Sequence, residues 1–324
     1  MQKSMKTLYP ALSPYHSFFL ATDSQHSVYV EESGNPQGVP VIFLHGGPCS
    51  GTKPDHRRFF NPEHYRIILF DQRGCGLSLP FGELEHNTTH DLLDDMERIR
   101  KHLAIDRWLV FGGSWGAALA LLYGQRHPNQ VLGLVIRAVF LVRQQDLAWF
   151  AKDGANRLFP EQWQQLLDSV HCQPEDDVIA RLCAAIWGPD EIAQRRAAKA
   201  WMDWGGQVTL GQQFQNTMLI DHVSDKMVKQ VGMELHYAKH HYFLENNQIL
   251  ANCHKLADIP TVIIHGRQDW VCPIEAGFQL HRALPDARYI VLDHAGHIAQ
   301  GEDMIDALVT ATDFFASQGF ASAG

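Results

Sequence analysis

Two kinds of apolar pattern alternate along the first 140 residues. "PVIFLHGG" (40–47), "RIILFDQRGCG" (66–76), "RWLVFGG" (107–113) and "VLGLVIRAV" (131–139) are short apolar runs, most ending in glycine or polar residues. They predict buried strands followed by loops. Between them, "HDLLDDMERIRKHLAI" (90–105) spaces its apolar residues at helical intervals, with acids early and bases late, which suits the helix dipole. "WGAALALLYGQRHP" (115–128) is a second predicted helix, rich in alanine. From about Leu141 to Lys255 the buried runs stop, and tryptophans and phenylalanines sit among polar helix formers. The first pattern then resumes: "IPTVIIHGRQD" and "ARYIVLDHAGH" are strands with loops, "IEAGFQLHRALP" and "MIDALVTATDFFASQ" helices. Alternating strands and helices imply a mostly parallel sheet with helices on both faces. The expected organisation is an α/β core from 1–140 and 256–324, interrupted by a helical cap insertion at 141–255.

Composition narrows the class. Apolar residues make up 45% of the 324-residue chain and charged residues 19%, which suits a globular protein with a sizeable core. The net charge of -9 disfavours nucleic acid and anionic membrane as partners, since both reward a basic face. No apolar run reaches the length of a membrane span, and the prolines near the start make a poor signal peptide. The six cysteines form no C-x-x-C pair, so the expected setting is a reducing cytoplasm without disulfides or zinc. His236 and His240 are four apart on a predicted helix but lack the glutamate of an H-E-x-x-H site, and no metal or other cofactor is expected.

Gly112-Gly113-Ser114-Trp115-Gly116 joins a predicted strand to a predicted helix and matches G-x-S-x-G, the nucleophile elbow. Glycines two before and two after the serine let strand and helix approach closely, leaving the hydroxyl proud of the sheet. A serine nucleophile needs a base, and the base an orienting acid. In elbow hydrolases these follow in the order serine, acid, histidine. Asp269 and His297 each come just after a late strand. Asp258 precedes its strand, and Asp293 and His294 sit at a strand tip, where structural hydrogen bonding is the better reading. "HGGP" at 45–48 follows the first strong strand, and its Gly47 amide, with that of Trp115, would form the oxyanion hole. "GGPCSGTK" fails as a phosphate loop because Thr52 precedes Lys53. In "DQRGCGLS", Asp71 and Arg73 are candidates to pair and brace the site, while Cys75 and Cys272 read as semi-buried thiols near the pocket.

Together, "HGGP", "DQRGCGLS", "GGSWGAALALLYGQRHP", "DGANRLFPEQW", "HGRQDWVCP" and "AGH" resemble the proline iminopeptidase family of α/β-hydrolases over nearly the whole chain. The resemblance implies cleavage of an N-terminal proline by a Ser114–Asp269–His297 triad, with Gly47 and Trp115 as oxyanion donors and no metal or organic cofactor. It also implies an aromatic pocket for the pyrrolidine ring, matched by Phe140, Phe150 and Phe243, and glutamates for the free amine. Here the chain departs. Gly205 stands where the family pattern W-x-x-W-E has its acid, and Lys239 stands at about the place of a second glutamate before H-Y-F. A lysine repels an ammonium group, so Asp203, Glu234 or Glu245 would have to substitute. The expected substrate is a small peptide, with an ester or amide on the same scaffold as the alternative, and a binding protein that keeps the fold as a remoter one.

Overall fold

The computed structural model describes residues 5–173, 175–214 and 222–318. Eight strands form one sheet: β1 (His16–Ala21), β2 (Ser27–Gly34), β3 (Val39–Leu44), β4 (Tyr65–Phe70), β5 (Trp108–Ser114), β6 (Val131–Val139), β7 (Thr261–Gly266) and β8 (Arg288–Leu292). Their spatial order is β1-β2-β4-β3-β5-β6-β7-β8. β2 runs antiparallel to both its neighbours, and every pairing from β4 through β8 is parallel. The β1–β2 hairpin extends the sheet beyond the run of strands expected from the apolar pattern. β1 alternates exposed and half-buried residues, so its composition carries no strong signal of a buried strand.

Residues alternate between the two faces of the sheet as the strand repeat demands. In β3, Val41 and Phe43 join one apolar cluster while Ile42 and Leu44 join the other, and β4 divides Ile67 and Leu69 from Ile68 and Phe70 in the same way. Helices α1 (Thr89–His102), α2 (Trp115–Arg126), α9 (Ile274–Ala283) and α10 (Glu302–Ser317) belong to this core. Thr88 caps α1 in a reciprocal box with Asp91, satisfying two amides that the first turn leaves unpaired.

Between β6 and β7, the regular elements among the described residues are all helical. They include α3 (Gln144–Ala151), α4 (Pro160–Ser169), α5 (Val178–Ile186), α6 (Glu191–Leu210), α7 (Asp225–Lys239) and the short α8 (Gln248–Ala251). Trp201, Trp204, Leu182 and Leu235 belong to an apolar cluster separate from those on the sheet. No helix of the described residues is long and apolar enough to cross a membrane.

Candidate active site

Ser114 ends β5 and immediately precedes α2, with φ 58° and ψ −122°. A non-glycine residue in this region is strained and persists only where its surroundings hold it. The surroundings here are tight. A Cβ on Gly112 would overlap the Gly116 carbonyl oxygen, and one on Gly116 would overlap the Leu44 carbonyl oxygen at the end of β3. Both glycines are therefore required by close approach of the backbone.

The loop after β3 lies beside the serine. A Cβ added to Gly46 would sit 3.5 Å from Ser114 Cβ and 4.0 Å from its Oγ. Gly47 follows with φ 113°. Trp115 is the first residue of α2, in the turn whose amides have no partner four residues back. Its indole Nε1 donates to Gln72 Oε1 at 3.0 Å, and Gln72 Nε2 donates to the His45 carbonyl at 2.9 Å. The "HGGP" loop, the "DQRG" loop and the elbow are thus tied by one buried glutamine.

Asp269 and His297 meet across the loops after β7 and β8. His297 Nδ1 is 2.9 Å from both Asp269 carboxylate oxygens. Asp269 Oδ1 also accepts from the amides of Val271 at 3.0 Å and Cys272 at 2.8 Å. Burial works to raise the Asp269 carboxyl, but His297, His265 and the Cys272 amide outweigh it and bring it below its ordinary value. An ionised carboxylate on Nδ1 fixes a tautomer with the proton there, leaving Nε2 as the basic nitrogen. Among the competing residues, Asp293 pairs with Arg267 at 2.7 Å on the surface.

Two residues beneath the site escaped the sequence reading. Arg137, from β6, donates to the His297 carbonyl oxygen, and its guanidinium fills the space a Cβ on Gly113 would need. Burial lowers its pKa, opposed by Asp269 and Cys272. His265, from β7, accepts from the Val139 amide at Nδ1 and lies 2.8 Å from the Cys272 carbonyl through Nε2. Burial lowers its pKa too, opposed by Asp269 and the Cys272 backbone. The only signal for Arg137 is a lone charge inside the apolar run "VLGLVIRAV"; nothing in the sequence marks what it touches.

The candidate pocket residues separate. Phe140 packs edge-on against Tyr242 at 5.2 Å, and Tyr242 packs against Trp115 at 5.0 Å. Phe243 lies instead among His236, Tyr237 and His240. Tyr242 therefore stands toward the elbow where Phe243 was expected. His241, Tyr242 and Phe243 all have positive φ, a run that residue types do not announce. Phe150 packs on Trp201 at 5.5 Å and Trp204 at 6.2 Å, against the apolar cluster separate from the sheet. Glu234 accepts from Trp201 Nε1 at 2.8 Å, and burial pushes its carboxyl up to about 7. No salt bridge among the described residues holds it. Asp203 pairs with Lys199 at 2.6 Å, Glu245 is exposed, and Lys239 is exposed over the Trp187 ring. Nothing lies within 4 Å of where a Cβ on Gly205 would stand.

Asp71 and Arg73 do not pair with each other. Asp71 accepts from Thr52 and the Leu77 amide, and Arg73 makes a bidentate pair with Asp95 at 2.6 and 2.8 Å. Both are buried, and each braces a different loop. Cys75 and Cys272 are buried free thiols; burial pushes both well up, with Asp269 adding to the shift at Cys272, so neither is an activated nucleophile. His236 lies 3.0 Å from the Asn87 carbonyl, and no group of three or more His, Cys, Asp and Glu side chains among the described residues could hold a metal ion.

Comparison with known proteins gives a consistent answer. The α/β hydrolase fold model matches residues 39–303. The chain is 44% identical to a protein of Leptolyngbya boryana named "Probable proline iminopeptidase", over 97% of this chain and 98% of that protein. It is 42% identical to the proline iminopeptidase of Xanthomonas citri, over 96% of this chain and 100% of that one. The Arabidopsis thaliana proline iminopeptidase is 41% identical, over 95% of this chain and 82% of its own. Among solved structures, a bromoperoxidase from Bacillus anthracis has a TM-score of 0.62 at 18% identity, over 93% of this chain and 100% of that one. That likeness concerns the fold alone.

Proposed function

The chain belongs to the proline iminopeptidase family of α/β-hydrolases, and from that premise we propose that it is a serine aminopeptidase releasing proline from the N-terminus of short peptides. The observation that supports the mechanism is the contact of His297 Nδ1 with both oxygens of Asp269, together with the strained elbow at Ser114. In the first step Ser114 Oγ bonds to the scissile carbonyl carbon while its proton passes to His297 Nε2. The oxyanion is stabilised by the amides of Gly47 and Trp115, each such donor being worth about 3–4 kcal/mol. The C–N bond then breaks, its electron pair stays on nitrogen, and His297 returns the proton to that nitrogen. Water attacks the acyl-enzyme, giving a proton to His297, and the C–Oγ bond breaks as Ser114 recovers its own.

On the acyl side, Phe140 and Tyr242 offer aromatic faces to the pyrrolidine ring. Glu234 offers the substrate's ammonium group a carboxylate that no cationic side chain of the described residues occupies. A reducing compartment such as the cytoplasm suits six cysteines that are all buried as free thiols.

Gly205 and the outward-facing Lys239 favour a second reading, an esterase or amidase indifferent to the amine. Rates on proline p-nitroanilide, N-acetylproline p-nitroanilide and p-nitrophenyl acetate separate the two. We expect the unblocked anilide to be cleaved and acetylation to cost most of kcat/KM. Cleavage of the ester alone would remove the peptidase reading. Ser114→Ala should lower turnover by about 10⁴-fold or more and abolish fluorophosphonate labelling. Unchanged turnover in that variant would remove the triad.

A further inference from the structure

A cavity of about 840 Å³ opens at His297, between the helical segment after β6 and the loop that carries the histidine. His297 forms part of its wall, but Phe140, Tyr242, Trp115 and Glu234 do not. Phe159, Trp270 and Ile298 give it apolar walls, and Gln212, Gln268 and Gln300 add amide side chains. Its wall is about half polar and half apolar, which suits a peptide's alternating backbone and side chains, and its volume falls within the ~300–1,000 Å³ of ligand sites. Glu302 and Asp303 also line it, and no lysine or arginine does among the described residues.

The chemistry decides which half of a substrate belongs here. His297 Nε2 must reach the leaving nitrogen to protonate it as the C–N bond breaks. The chain beyond that nitrogen therefore starts at His297, while the proline lies toward Tyr242 and Phe140. We propose that the cavity is the leaving-group subsite, binding the peptide that follows the released proline and favouring extended peptides with neutral or basic residues over dipeptides and acidic ones. This rests on the aminopeptidase reading. The glutamine amides hydrogen-bond the peptide backbone, the apolar walls bury its side chains, and the carboxylates repel acids. A free C-terminal carboxylate close behind the scissile bond is repelled as well.

The test compares kcat/KM of the full chain on Pro-Ala-amide, Pro-Ala-Ala-Ala-amide and proline p-nitroanilide. The longer amide should exceed the dipeptide amide by about tenfold, mostly through KM. Gln300→Trp fills the cavity from the histidine loop and Gln212→Trp from the cap; in each the length ratio should fall toward one. Pro-Lys-Ala-Ala-amide should be preferred to Pro-Glu-Ala-Ala-amide, and the milder Asp303→Asn should narrow that ratio even if a tryptophan variant fails to fold. Equal rates on the short and long amides, or a length ratio that survives both tryptophans, would overturn the proposal. Failure on proline p-nitroanilide itself sinks the aminopeptidase reading, whereas cleavage of the anilide without length preference sinks only the subsite.

Discussion

Glu234 carries a carboxyl that burial pushes up to about 7, so it is neutral in mild acid and charged above neutrality. On the proposed role of Glu234 in binding the amine, the charged form is the one that binds, and KM for an unblocked proline substrate should fall as pH rises through about 7. Glu234→Gln should flatten that dependence and raise KM; an unaltered profile would mean the amine is held elsewhere. The same shift acts on stability. The folded state keeps a proton that the unfolded chain loses near its ordinary value of about 4.3, so the favourable term is complete below that pH and disappears as pH rises to about 7. Above neutrality Glu234→Gln should therefore melt higher than wild type, by up to about 4 kcal/mol of stability, and the two should converge near about pH 4. Arg137 acts through His297, whose backbone carbonyl it holds. Arg137→Met should lower kcat by about 10²-fold with little change in KM, as expected for a misplaced base, and Arg137→Lys should recover part of the loss. A wild-type kcat in the methionine variant would leave Arg137 without a positioning role.

At the scale of elements, the junction of β5 and α2 is tightly constrained. The pentapeptide announced it, because only glycine permits the approach that Gly116 makes to the Leu44 carbonyl. Gly116→Ala should cost about 3–5 kcal/mol, seen as a lower urea midpoint, and should lose fluorophosphonate labelling in the fraction that still folds. A variant as stable and reactive as wild type would show that α2 can shift without consequence. The parallel strands and core helices were legible for a related reason: buried strands of a parallel sheet are apolar on both faces and stand out from amphipathic helices. The half-exposed β1 lacks that contrast. Asp71 and Arg73 look like a pair in sequence, but the geometry of a turn sends neighbouring side chains to different partners. Arg73 lies against Asp95 on α1, 22 residues away.

Over the whole molecule, the net charge of -9 favours approach of a cationic substrate. We expect kcat/KM for proline p-nitroanilide to fall between about 0.01 and 0.5 M salt, while that for neutral p-nitrophenyl acetate, if cleaved, stays nearly level. Equal salt dependence of the two would exclude steering by net charge. The sequence by itself determined the α/β core and the strand-to-helix elbow, because local rules govern them: strand periodicity and glycine at a close approach. Only the tertiary structure decided what surrounds the serine. The inward Tyr242, the uncompensated Glu234, the buried Arg137 and the cavity at His297 depend on how distant segments pack, and a side chain's neighbours across a fold are written in no local pattern.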